Sequence, residues 1–237
     1  KLARLWGPVL AYVGEKNGYI LTFKTAKDIP TFEERLLSGQ YDLSYMNPYH
    51  YTVYHSNPGY LAFAKEKDKR IQGIVVVKED SSYKDISELS GLTLAFPAPA
   101  AFAATVLPRA YFLQNNIHVT PKYVSSHDSV YRSVAQGIYP AGGGIMRTFN
   151  NMNDEINNQL RILWKTDYYT PHAIATHPRV PKKVITAIQK TLIEMEKDPK
   201  GKILIHNLSI KGFERAVDSD WDDVRALGID LLDSTSK

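Results

Sequence analysis

Short β-branched runs alternate with helix signals along most of the chain, and this alternation constrains the fold more than any other feature. Leu2, Leu5, Trp6, Val9, Leu10 and Val13 follow the i, i+3, i+4, i+7 spacing of one helix face. Gly14 and the Asn17-Gly18 pair predict its end, residues 19–23 read as a strand, and Thr31-x-x-Glu34 reads as a capping box for a helix that stops at Gly39. Residues 42–46 form a strand that runs into the aromatic loop Asn47-Pro48-Tyr49-His50-Tyr51. Further strands are expected at 71–77, 92–96, 119–124, 141–146, 161–164 and 172–175, with Asp85-x-x-Glu88 capping a turn and helices at 100–115 and 128–136. Such alternation predicts α/β architecture: parallel sheets flanked by helices, with ligands at the carboxyl ends of strands. The last third is helical instead, with an amphipathic helix at 181–197 and more helix at 202–207 and 220–232.

A chain of 237 residues can form one large domain or two lobes of about 100 residues each. No internal repeat or low-complexity linker separates two lobes, so they would share crossovers. A doubly wound lobe is expected to begin with a central strand, whereas this sequence opens on a helix pattern, which implies that an initial strand is missing or is supplied in some other way. No signal-peptide pattern opens the chain, so an exported protein would be met here in mature or trimmed form. No apolar run approaches the about 18 residues of a membrane span. The net charge of +4 is spread over 29 basic and 25 acidic residues. The densest run, Lys65-Glu66-Lys67-Asp68-Lys69-Arg70, alternates in sign and reads as a solvated loop, so nucleic acid is not expected as a partner. The absence of cysteine excludes disulfides, thiolate catalysis and thiolate metal ligands.

Three junctions carry chemistry. Tyr45 to Tyr51 is a binding loop that presents the Tyr45 and Tyr49 hydroxyls and the Asn47 amide beside flat rings, or a set of aromatics packed at a lobe surface. Phe96-Pro97-Ala98-Pro99-Ala100-Ala101-Phe102-Ala103 passes from strand to a small-residue helix start, where free N–H groups suit an anion; the same pattern also serves an ordinary helix start. Ser125-Ser126-His127-Asp128-Ser129 places Ser126 or His127 as a helix cap and offers His127 as a hydrogen-bond donor to a ligand. Enzyme readings fare poorly. Adjacent His127, Asp128 and Ser129 cannot form a relayed triad, no nucleophile elbow exists, and Gly142-Gly143-Gly144 lacks the lysine and hydroxyl of a phosphate loop. His50, His55, His127, His172 and His177 have no tight metal-ligand spacing, and no cofactor or metal is expected.

Taken in order, Gly39-Gln40-Tyr41-Asp42 before Asn47-Pro48-Tyr49, Ile86 to Gly91, Pro108-Arg109, Ser126-His127-Asp128-Ser129-Val130, Ala135-x-Gly137, Ala141 to Gly144 and Thr170-Pro171-His172 resemble the phosphonate-, phosphite- and phosphate-binding proteins of ABC importers, the PhnD-like group. The resemblance spans nearly the whole chain. It implies a two-lobed type II periplasmic binding protein fold with two crossover strands, lobe I being residues 1–76 and 172–237 and lobe II residues 77–171. The crossovers are expected near 75–78 and 168–173, and hinge closure about them brings ligand contacts from both lobes. It also implies a periplasmic monomer that captures a small molecule for an ABC permease, without enzymatic activity; the alternative is an extracytoplasmic ligand-sensor domain of a membrane receptor such as a histidine kinase. The implied ligand residues are Tyr45, Asn47, Tyr49, Ala101, Phe102, Ala103, Ser126, His127, Tyr169 and His172. Where family members hold the oxyanion with a Ser-Thr-Ser type run, this chain aligns Ala101, Phe102 and Ala103, and a tyrosine common at the first crossover corresponds to Ile71. The expected ligand is therefore other than a simple phosphonate.

Overall fold

Gly18, at φ +70, closes a first helix that runs unbroken through Gly14. In this computed structural model, which describes residues 2–228, the chain order is α1 (Leu2–Asn17), α2 (Ile29–Leu37), β1 (Leu43–Met46), α3 (Pro48–Ser56), β2 (Leu61–Glu66), β3 (Gly73–Lys78), β4 (Thr93–Phe96), α4 (Leu107–Gln114), β5 (Thr120–Tyr123), α5 (His127–Ala135), β6 (Ala141–Ile145), α6 (Met146–Asn150), α7 (Asp154–Asn157), β7 (Leu160–Lys165), β8 (Ala173–Thr176), α8 (Lys182–Glu194), α9 (Pro199–Asn207), β9 (Phe213–Arg215) and α10 (Asp222–Arg225). The described residues form two compact units, one of residues 2–69 with Thr170–Val224, the other of Arg70–Tyr169 with residues 225–228. The α/β architecture expected from the sequence is present, with one sheet in each unit.

In the first unit the sheet order is β1-β8-β2-β9, and every pairing is antiparallel. The amphipathic faces of α1, α8 and α9 supply its core: Val9, Tyr12 and Val13 meet Ile188, Leu192, Met195 and Ile205 over Phe63, Ile174 and Phe213. Here the expectation of parallel sheets is corrected.

In the second unit the order is β5-β4-β6-β3-β7, parallel from β5 to β6 and antiparallel from β6 to β7. The run Ile74-Val75-Val76-Val77 is β-branched throughout because the sheet is covered on both faces. Val75 and Val77 face Leu94, Phe96 and Phe112. Ile74 and Val76 face Val130, Tyr131 and Val134 on α5.

The glycine run lies in β6, and its role is spatial. A Cβ at Gly142 would meet Val130 at 2.4 Å, one at Gly143 the Ala104 carbonyl oxygen at 1.9 Å, and one at Gly144 the Tyr131 hydroxyl at 2.2 Å. Side chains here would push off the helical segments above and below the sheet.

Several sequence expectations change. Residues 19–23 are extended but belong to no sheet among the described residues; Leu21 packs on the core while Ile20 is 94% exposed. The cap of α2 is Asp28, which accepts from the Thr31 N–H at 2.9 Å, with Pro30 in the first turn, and not Thr31. Lys65 and Glu66 lie in β2, and Lys65 pairs with Asp220 at 2.7 Å, so part of the charge run is strand. Asp85 and Glu88 do form the expected capping box, around the turn Ile86–Leu89. Of the helix expected at 220–232, residues 229–232 lie outside the described residues; within them are a 3-10 turn at Asp218–Trp221 and α10.

Candidate ligand-binding site

In the first unit, antiparallel pairing places the end of β1 beside the start of β8, with Tyr45 opposite Ile174 and Met46 opposite Ala173. Three of the expected ligand residues therefore share one sheet edge: Tyr45, Asn47 and His172. The Tyr45 ring stacks on His172 at 5.0 Å between centroids and 18° between planes, with Trp6 on it at 5.0 Å; its hydroxyl donates to Glu66. The segment after β1 is helix α3 and not a loop. Asn47 is its cap, accepting from the His50 N–H at 2.8 Å, and Pro48 fills the first helical position. Its carboxamide oxygen thus has a local task. Tyr49 is 3% exposed, and Tyr51 is buried against Trp221, its hydroxyl donating to Asp218 at 2.7 Å. Among the described residues no cluster of three or more His, Asp or Glu could hold a metal ion.

In the second unit, β5, β4 and β6 run parallel, so their carboxyl ends share an edge and each feeds a helical segment there. After β4 comes a π-turn at Phe102–Val106 that continues into α4. Thr105 and Val106 both donate to the Ala101 carbonyl, at 2.8 and 3.2 Å, whereas the N–H groups of Phe102, Ala103 and Ala104 meet no backbone acceptor among the described residues. Those three residues are almost wholly buried, so donors that need partners sit where sequence places Ala101, Phe102 and Ala103 at a ligand. Tyr169 meets the Phe102 ring edge-on at 6.1 Å.

After β5, Ser125 adopts φ +72, rare for a residue with a side chain, and Ser126 caps α5 by accepting from the Ser129 N–H at 3.1 Å. His127 begins α5. Burial first, and then the positive charge of Arg147, hold its imidazole below the usual histidine range against the opposing pull of Asp128. Its Nδ1 is buried without a hydrogen-bond partner. After β6 comes Arg147, exposed in α6, which the sequence reading passed over. The junction rule applied to β4 and β5 would have found it at the end of β6.

The comparisons agree with this architecture. A model described as ABC transporter, phosphonate, periplasmic substrate-binding protein matches residues 1–221. The phosphate-import protein PhnD of Mycolicibacterium smegmatis is 20% identical over 227 residues, covering 82% of this chain and 67% of that protein. PhnD1 of Prochlorococcus marinus, solved in complex with methylphosphonate, superposes with a TM-score of 0.81 at 14% identity, over 96% of this chain and 92% of that one. A binding protein component of an ABC phosphonate transporter from Pseudomonas aeruginosa gives 0.78 at 14% identity, over 96% and 80%. With the family model matched across both units, the chain belongs to the phosphonate-type periplasmic substrate-binding proteins of ABC transporters.

Proposed function

We propose that this chain captures a small organic solute carrying a carboxylate or other weakly anionic group, and delivers it as a periplasmic monomer to the permease of an ABC importer without converting it. The residues proposed for ligand contact are Tyr45, Asn47, Tyr49 and His172 in the first unit, and the turn at 101–103, Ser126, His127 and Tyr169 in the second. The observation that carries the reading is the turn itself: the N–H groups of Phe102, Ala103 and Ala104, on buried residues, meet no backbone acceptor among the described residues, while positions 101–103 hold no hydroxyl. Backbone donors suit a planar anion. A tetrahedral oxyanion needs more donors, each worth roughly 1 kcal/mol and more when the acceptor is charged. The family's description speaks of a transporter component and lends no support to a receptor fragment.

Calorimetry tests the ligand class. Phosphate, phosphite and methylphosphonate should bind no tighter than micromolar, and a nanomolar phosphonate would show that the missing hydroxyls do not matter.

A further inference from the structure

Arg147 is a residue whose position the fold itself does not explain. Its guanidinium is exposed and makes no hydrogen bond or ion pair among the described residues, yet it stands at the carboxyl edge of the central strand β6. The geometry of α5 fixes what it faces. His127 and Tyr131 are four residues apart and share one helix face. The Tyr131 hydroxyl donates to the Ile145 carbonyl at 3.0 Å, accepts from the Ile145 N–H at 3.0 Å and lies 2.9 Å from Thr148 Oγ1. That face of α5 is therefore tied to the turn 145–148, and Arg147 lies inside the turn, with His127 one helical turn above Tyr131. Asp128, the acid next to His127, is exposed and pairs with no cation among the described residues. The arrangement leaves a free fork of five N–H donors beside an imidazole whose buried Nδ1 has no partner.

We infer that Arg147 is the charge partner of the solute's anionic group and that, with His127, it selects anions over uncharged solutes of the same shape. The inference rests on the solute-binding reading above and names the residue that sets its specificity. Among the described residues neither has a hydrogen-bond or ion-pair partner that would compete with a ligand. A guanidinium matches a carboxylate or phosphoryl group through two parallel hydrogen bonds, which an ammonium cannot reproduce.

The test uses the intact chain. It is titrated with acetate, succinate, inorganic phosphate and methylphosphonate, and in parallel with acetamide and dimethyl methylphosphonate, reading Tm and the imidazole signals that Arg147 would perturb, assigned through His127→Gln. At least one anion should move the His127 signals. Arg147→Gln should weaken that anion about tenfold or more, Arg147→Lys should recover part of the loss, and the exposed control Lys122→Gln should leave it unchanged. Equal anion affinity in Arg147→Gln and wild type, or a response to the uncharged probes alone, overturns the role of Arg147 and leaves the solute-binding reading standing. Silence toward both sets of probes overturns both.

Discussion

At His127, burial and a neighbouring cation act in the same direction, and stability should record it. Its folded pKa lies below the usual value of about 6.5, so the unfolded chain takes up the proton first as pH falls. The stability this group protects is whole above about 6.5 and erodes as pH falls from there toward the folded pKa. His177 is shifted the same way, by burial and by Arg179. Urea titrations between neutral and mildly acidic pH should show a declining midpoint, and His127→Gln should make that decline shallower; an unchanged slope would mean that His127 is not held neutral by the fold. At this scale the sequence is legible at two of the caps, and not at α2, where Asp28 and not Thr31 serves the backbone. Ser126 and Asp85 cap as their spacing predicts. It is less legible where one residue serves two ends: Asn47 reads as a ligand donor, yet its oxygen caps α3, a task that any Asx before proline can perform.

Among the elements, the π-turn has a cause in the sequence. Pro108 carries no N–H, so neither an i+4 bond to the Ala104 carbonyl nor an i+5 bond to the Ala103 carbonyl is available, and the backbone widens before α4 begins. Both carbonyls find glycines. The Ala103 oxygen lies 1.9 Å from where a Cβ on Gly73 would stand, and the Ala104 oxygen 1.9 Å from one on Gly143. Contacts of this kind suit weak Cα–H···O bonds and forbid any larger residue. Gly143→Ala should therefore destabilise the protein by about 1–3 kcal/mol or more in urea unfolding, since backbone and not a flexible side chain must give way. A cost within about 0.5 kcal/mol would show that the turn yields freely. The strands that periodicity missed or misplaced share one trait, dependence on partners distant in sequence. β2 pairs with β8 on one side and with β9 on the other, and the short mixed-polarity runs of β2 and β9 carry no strong alternation. Residues 19–23 have the alternation and no ladder to join among the described residues, so pattern alone does not make them a strand.

For the whole molecule, the second unit is nearly a closed insertion. Ile71 and Tyr169, close to its two ends, exchange backbone hydrogen bonds of 2.8 Å each, and all five strands of its sheet lie between them. A fragment of residues 70–169 should fold alone and unfold cooperatively, as a domain with adjacent ends and its own core does. A fragment lacking fixed near-ultraviolet dichroism would mean that residues 225–228, where Gln114 bonds the Leu227 carbonyl, are indispensable. The fold class was legible through the ordered junction motifs. Sheet direction was not, because alternation of strands and helices is shared by parallel and mixed sheets.

The glycines of β6 bear finally on how such a protein can change over time. In much of a core, altering one side chain obliges its neighbours to alter as well. At this strand the helical segments rest on bare backbone, so no side chain at 142–144 has to covary with a change in the segments packed on it. The helical segments after β4 and β5 can thus change without a matching change in β6 while the scaffold stays put, in keeping with a TM-score of 0.81 retained at 14% identity.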